Sequence, residues 1–245
     1  MDTDYDRIAG QYKRAKLQAW RMHVERHTLL RLAGDVAGKA VIDLACGEGY
    51  YTRELRRRGA SRVVGVDLSP RMIDLAEAEE AREPLGVEYR VGDVRALDVP
   101  GPWDLAFAAY LLNYAHTTEE LTQMCRAVAH SLRPGGRFVT ANNNPAEPPA
   151  NFPAGRAYGY SKRVEGELVE GTPVVWEFFL PDGPFEVTNY YLGVGTMAGA
   201  FRAAGLHEVR WHPPEVSTEG VREFGLGHWA AFLACPPVAF IECVK

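Results

Sequence analysis

A chain of 245 residues, 47% apolar and 24% charged, can bury a core without disulfides, and one large domain over 1–245 is the expectation rather than two small ones. A net charge of −5 with a pI near 5.8 leaves no basic footprint for a polyanion, which argues against nucleic acid as a partner, and no apolar run is long enough to cross a bilayer. Cys46, Cys125, Cys235 and Cys243 form no C-x-x-C pair, so neither a zinc site nor a disulfide framework is expected. The acidic start, Met1 to Tyr5, lacks the basic and apolar segments of a signal peptide, and a cytoplasmic protein is expected.

In chain order, Asp4 to Leu32 reads as two helices, with Trp20, Val24, Leu29 and Leu30 interrupted by basic side chains. From Lys39 onward, apolar β runs at Ala40–Ala45, Arg62–Val66, Val87–Val91, Asp104–Ala108 and Gly136–Ala141 alternate with helical stretches at Tyr51–Arg58, Pro70–Arg82 and Thr118–Leu132. That cadence predicts a doubly wound α/β fold with a mainly parallel sheet. Pro70 sits just inside its helix, and Arg133 to Gly136 (Arg-Pro-Gly-Gly) stops the third helix and turns the chain into the fifth strand.

After Asn142 the pattern changes. A Pro-rich loop over Asn144–Pro153 precedes Ser161–Val169, Pro173–Leu180 and Phe185–Leu192, which are rich in β-branched and aromatic residues, with a turn at Pro181-Asp-Gly-Pro. This predicts an antiparallel β insertion over 144–193. The remainder, 194–245, supplies a helix at Thr196–Ala204, a strand at Glu208–Trp211, helical segments within Glu215–Ala234 and a last strand at Val238–Val244.

The first β run ends in Asp43-Leu-Ala-Cys-Gly-Glu-Gly49, a turn of small residues that opens a helix. Gly47 and Gly49 let backbone approach a ligand where a Cβ would collide, and the turn lies outside the carboxyl ends of the strands, where open α/β sheets bind ligands. The second run ends in Asp67, about 20 residues after Gly47, the separation at which a carboxylate meets a bound ribose. Asp93 follows the third run, where it can read an adenine edge. A dinucleotide-binding turn wants a third glycine where Thr52 stands, and a pyrophosphate would be repelled by Asp43 and Glu48, whereas a ligand bearing an ammonium and a sulfonium tolerates both acids.

Together Asp43-Leu-Ala-Cys-Gly-Glu-Gly, Val66-Asp-Leu-Ser, Gly92-Asp-Val and Leu132-Arg-Pro-Gly-Gly-Arg resemble the successive motifs of class I, Rossmann-like S-adenosylmethionine-dependent methyltransferases, over residues 40 to 141. The opening Tyr5-Asp-Arg-Ile-Ala-Gly-Gln-Tyr12 and the phrase Tyr110-Leu-Leu-Asn-Tyr-Ala further resemble toxoflavin-synthase-like methyltransferases of bacterial natural-product pathways. The resemblance implies S-adenosyl-L-methionine as cofactor, with S-adenosyl-L-homocysteine as product and no metal, in a core over 39–143. It places Asp43, Ala45, Gly47 and Gly49 around the methionine part of the donor and Asp67 on the ribose. Leu68 and Met72 sandwich the adenine, with Asp93 and Val94 at its edge. Tyr110 lies beside the donor, and Tyr5 and Tyr12 belong to an N-terminal helical lid over 1–38.

The expected reaction is methyl transfer to nitrogen or carbon of a small heteroaromatic acceptor in secondary metabolism. Tyr110 and Asn113 are candidates for positioning the acceptor, with Trp20, Tyr114, Asn142, Asn144, Tyr160, Trp176 and Tyr190 as further contacts, because amides and phenols bond to ring carbonyls and N–H groups while aromatics stack on flat rings. The insertion aromatics serve equally as sheet core, and an exposed antiparallel edge could pair with a second copy to give a homodimer. A donor-binding protein without turnover and an NAD-dependent oxidoreductase are the competing readings. Cys46 has no histidine in fixed relation to it, the Arg53–Arg62 cluster reads as a solvated helix face, and His23 and His27 read as surface or lid residues.

Overall fold

The computed structural model describes residues 3–99 and 101–245. Met1 and Asp2, part of the start read above as lacking a signal peptide, lie outside the described residues. Seven strands form one sheet in the order β3-β2-β1-β4-β5-β10-β9. They are β1 (Ala40–Leu44), β2 (Arg62–Asp67), β3 (Glu88–Val91), β4 (Trp103–Ala109), β5 (Leu132–Asn143), β9 (His207–His212) and β10 (Val238–Val244). The first five run parallel, while β10 is antiparallel to both its neighbours. Strand order reverses between β1 and β4, which puts the ligand crevice at the carboxyl ends of these two strands.

Period-2 alternation divides the strand residues between two apolar layers. Val41, Val63, Leu105, Val139 and Phe240 face Leu29, Leu30, Tyr51 and Leu55, whereas Ile42, Val64, Ala106, Phe138 and Ile241 face Leu121, Cys125, Val128 and Phe201. The helices supplying these contacts are α2 (Arg26–Ala33) and α3 (Tyr50–Arg57) on one side, α5 (Thr118–Ser131) and α6 (Val194–Ala203) on the other. Doubly wound architecture and mainly parallel order are therefore as the sequence implied.

Local chemistry fixes the helix ends that matter for the site. α1 (Tyr5–Ala15) starts at Asp4, and α4 (Pro70–Arg82) starts at Ser69, whose hydroxyl accepts the Met72 N–H at 3.0 Å. α1 docks on α4 through Asp6, which accepts from the Ser69 hydroxyl, and through the Lys13–Glu79 ion pair. The arginine cluster of α3 is a solvated face only in part, at the exposed Arg57 and Arg58. Arg53 is buried and bonds the Glu83 carbonyl at 2.8 Å, while Arg57 pairs with Glu83 at 2.7 Å, so they clamp α3 to the end of α4.

A second sheet holds β6 (Tyr160–Val164), β7 (Pro173–Phe178) and β8 (Phe185–Tyr190), antiparallel in that order. The expected strand Ser161–Val169 is shorter than its apolar pattern suggested, because Gly166 takes φ +76° soon after Val164. The Pro-rich stretch read as loop contains a 3-10 helix over Pro149–Tyr158, started by Pro149 with φ preset by its ring and closed by Gly159 at φ +88°. Between α1 and α2 the chain makes a π-helical turn, Arg21–Glu25, which rotates consecutive side chains away from helical spacing. The C-terminal helices are α7 (Thr218–Phe224) and α8 (Leu226–Ala234), and Trp229 and Phe232 of α8 are buried against the N-terminal segment.

Candidate active site

The turn after β1 is held in a conformation that side chains resist. Ala45, Gly47 and Gly49 have φ of +56°, +57° and +81°, and for Ala45 this costs of order 1 kcal/mol. Asp67, at the end of β2, compensates by tying the turns together: one carboxylate oxygen accepts the Gly47 N–H at 2.7 Å and the other the Ser69 N–H at 2.9 Å. Burial raises the Asp67 pKa, while those two N–H groups and Lys16 oppose the rise.

These turns form the floor of a cavity of about 350 Å³ at the sheet's switch point. Ala45, Gly47 and Asp67 line one wall, Leu68 and Met72 a second, and Asp93 and Val94 a third. Tyr5, Tyr12 and Tyr110 complete it from α1 and the end of β4. Leu68 is 67% exposed, an apolar side chain offered to the cavity mouth, and Met72 is buried behind it. Asp93 caps the short turn that follows β3 and binds Arg95 at 2.7 Å. Arg95 also lies 3.8 Å from Glu120, so the cavity's arginine is already matched by acids, and with Asp67 the wall repels a pyrophosphate.

Two residues expected here stand back from it. Asp43 is buried beneath the turn and accepts the Thr52 hydroxyl at 2.6 Å; burial pushes its carboxyl up to about 7 despite that bond and the nearby Lys16. Gly49 is needed for packing as well as for its positive φ, since a Cβ there would collide with the Tyr89 phenol. Lys16 reaches over the turn from the end of α1, its ammonium 3.0 Å from Glu48. Burial works against the Lys16 charge, but Glu48 and Tyr12 hold its pKa above the ordinary value.

Tyr110 is, with Ala45, one of two cavity-lining non-glycine residues at positive φ among the described residues, at +68°. Its hydroxyl donates to Glu25 at 2.5 Å, and the Tyr51 hydroxyl donates to the other oxygen of Glu25 at 2.7 Å. Burial, then Glu25, keeps the Tyr110 pKa well above the usual phenol range, so it stays a donor. Beyond Tyr110 a narrow cleft of about 10 Å³, room for one water, continues between Tyr5, Tyr12, Tyr114, Trp176, Phe178 and Arg21. The hydroxyls of Tyr5 and Tyr114 are bonded to each other across the boundary between cavity and cleft.

The other acceptor candidates divide by position. Trp20 is fully buried behind the cleft, stacked on Trp176 at 6.3 Å and tilted against Tyr160 at 5.2 Å. Asn113, Asn142, Asn144 and Tyr190 line a separate small hollow under β5 and the insertion. There Asn142 accepts the Leu112 N–H at 3.0 Å and Asn144 donates to the Pro236 carbonyl at 2.8 Å, so both amides serve the backbone. Arg21, Glu25, Lys16 and Glu120 were not anticipated as site residues. Arg21 and Glu25 do carry a sequence signal, an i,i+4 charge pair interleaved with the apolar Trp20 and Val24.

Cys46 is buried, and burial with Asp43 nearby pushes its thiol pKa well up, leaving an inert thiol. His23 bonds Ser217 at 2.9 Å, and among the described residues no three metal-ligating side chains cluster. No helix among them is long and apolar enough to cross a membrane.

Residues 41–136 match a methyltransferase domain family. The chain is 29% identical over 171 residues, 69% of its length and 70% of the relative's, to the N-demethylindolmycin N-methyltransferase of Streptomyces griseus. It is 27% identical over 164 residues to a ubiquinone biosynthesis O-methyltransferase of Xylella fastidiosa, spanning 59% of this chain and 65% of that relative. An S-adenosylmethionine-dependent methyltransferase of Mesorhizobium loti superposes with a TM-score of 0.64 at 23% identity, over 94% of this chain and 100% of the other. With the motifs, the strand order and the acid-lined cavity, these matches support a class I, Rossmann-like S-adenosylmethionine-dependent methyltransferase.

Proposed function

We propose that the enzyme methylates nitrogen or carbon of a small heteroaromatic acceptor, of the kind found in secondary metabolism, which enters from the cavity into the aromatic cleft beyond Tyr110 as the Tyr5–Tyr114 contact parts. The observation that carries this reading is the continuity of the two spaces: Tyr5, Tyr12, Tyr110 and Tyr114 line both the cavity and the cleft, and Trp176 and Phe178 offer ring faces within it. Relatives named for N-demethylindolmycin and for ubiquinone biosynthesis support a small-molecule acceptor.

When bound, S-adenosylmethionine supplies a methyl group on a cationic sulfur that departs neutral, so no acid is required for the leaving group. The residues that fit this cofactor are Asp67 for the ribose hydroxyls, Leu68 and Met72 for the faces of the adenine, Asp93 and Val94 for its edge, and Gly47 for close backbone approach. Asp43 supports the methionine end from below the turn. The chain's own task is orientation and exclusion of water, which can remove up to about 7–11 kcal/mol of the barrier. Tyr110, fixed by Glu25, sets the boundary between donor and acceptor, and α1 with Tyr5 and Tyr12 acts as the lid. Asn113 acts indirectly, through the turn Leu112–Tyr114 that carries Tyr114. A homodimer through the edge of the three-stranded sheet belongs to the same proposal and is checked by light scattering.

Incubation with methyl-labelled donor and a panel of indole, pterin-like and amine acceptors tests the reading. Label is expected in a ring-bearing small molecule; label entering only protein or RNA overturns it.

A further inference from the structure

Arg21 is a buried guanidinium without the hydrogen bonds such a group normally makes. It is 3% exposed, and neither Nε nor Nη1 has a hydrogen-bond partner. Among the described residues the acid paired with it is Glu25, 3.6 Å from Nε to Oε2, beyond hydrogen-bond length. Both Glu25 oxygens are engaged already by the hydroxyls of Tyr51 and Tyr110, so the carboxylate offsets the charge of Arg21 without satisfying its N–H groups. Around the guanidinium stand ring faces: Tyr12 at 5.2 Å, Trp20 at 5.2 Å, Tyr110 at 5.5 Å and Phe178 at 5.1 Å. Rings hold a cation in place but accept no strong hydrogen bond.

A guanidinium kept only for structure would turn its fork onto carbonyls or a carboxylate, as Arg53 does with Glu83 and Arg137 with the Ala33 carbonyl at 3.1 Å. Arg21 instead lines the cleft among tyrosines, Trp176, Phe178, Val187 and Asn189, with Glu25 and the Lys16 ammonium as the charged groups that act on it. A planar fork of N–H donors between aromatic walls matches one chemistry above others, a carboxylate on a flat ring, whose two oxygens take two parallel N–H groups while the ring stacks. Resting on the acceptor reading above, we propose that Arg21 is a specificity-determining residue that anchors the carboxylate of an aromatic acid, so that the natural acceptor is an aromatic carboxylic acid rather than a neutral heterocycle.

The test uses the whole chain saturated with S-adenosylhomocysteine, titrated with two matched pairs of probes: indole-3-carboxylate against indole-3-carboxamide, and quinoline-2-carboxylate against its amide, followed by quenching of tryptophan fluorescence. Each acid is expected to bind about tenfold or more tightly than its amide, as a charge-assisted bidentate pair in a buried site requires. In Arg21→Gln the acid's advantage should vanish while the affinity for S-adenosylhomocysteine persists, and Arg21→Lys should restore only part of it. Equal affinities of acid and amide for the unaltered chain overturn the proposal without needing any variant to fold, as does an acid preference that survives in Arg21→Gln. If none of the four probes binds while S-adenosylhomocysteine does, the aromatic-acceptor reading falls, and this one with it.

Discussion

The Tyr110 hydroxyl donates to Glu25 at 2.5 Å, joining the end of β4 to the π-helical turn of the N-terminal segment across 85 positions of sequence. Through this bond the lid side and the sheet side of the site hold each other. Glu25 is 1% exposed, and Tyr51, Tyr110 and Arg21 all converge on it.

Replacing Glu25 by alanine should therefore leave two phenols and a guanidinium buried together without an acceptor. A loss of about 3–5 kcal/mol is expected, the range for removing one partner of a buried charge pair. Urea denaturation measures it, and a loss below about 1 kcal/mol would show that Glu25 is not the keystone of this network.

Tyr110→Phe keeps the ring that separates cavity from cleft but frees it from Glu25. Turnover should fall about tenfold while the affinity for S-adenosylhomocysteine stays within about twofold, because orientation is lost and the donor wall is not. A fall confined to donor affinity would place the role of Tyr110 in the cofactor cavity instead.

Asp43 gives a pH signature. Burial raises its pKa to about 7 in the folded chain, against about 3.9 when unfolded, so the folded state binds the extra proton between those values. The stabilisation is fully present below about pH 4 and is lost as pH rises through about 7. Relative to Asp43→Asn, which has no proton to lose, the unaltered chain should become progressively less stable from pH 4 to 8 when compared by chemical denaturation in the absence of ligand. A difference that is flat across this range would contradict the burial-driven shift.

Sequence pattern was sufficient for the sheet because its signal is local. Pro70 and Ser69 announce α4, Val238–Val244 reads as the last strand from composition alone, and the glycines after Asp43 mark the turn. Asp67 and Asp93 were legible as cavity residues because each stands at or just past a strand end, whereas Leu68 and Met72 came from the family resemblance. The acceptor side was not legible in the same way. Which of Trp176, Asn142 or Tyr190 meets the cleft depends on how the three-stranded sheet folds back on the N-terminal segment, and long-range packing sends Trp176 to the cleft while Asn142 bonds to the Leu112 backbone. Arg21 was hidden by the π-helical turn, which displaces it from the helical face that its spacing from Trp20 and Val24 implies. Asp43 looked like a ligand contact because it precedes the glycines, but the pleat turns its side chain beneath the turn to Thr52.

The most direct measurement is calorimetric titration of S-adenosylhomocysteine into the unaltered chain and into the double variant Gly47→Val with Asp67→Ala. The cavity built from the turns after β1 and β2 requires tight binding by the former and a loss of about 100-fold or more in the latter, with the fold retained by circular dichroism. Unchanged affinity in the folded double variant would contradict the placement of the donor at this site.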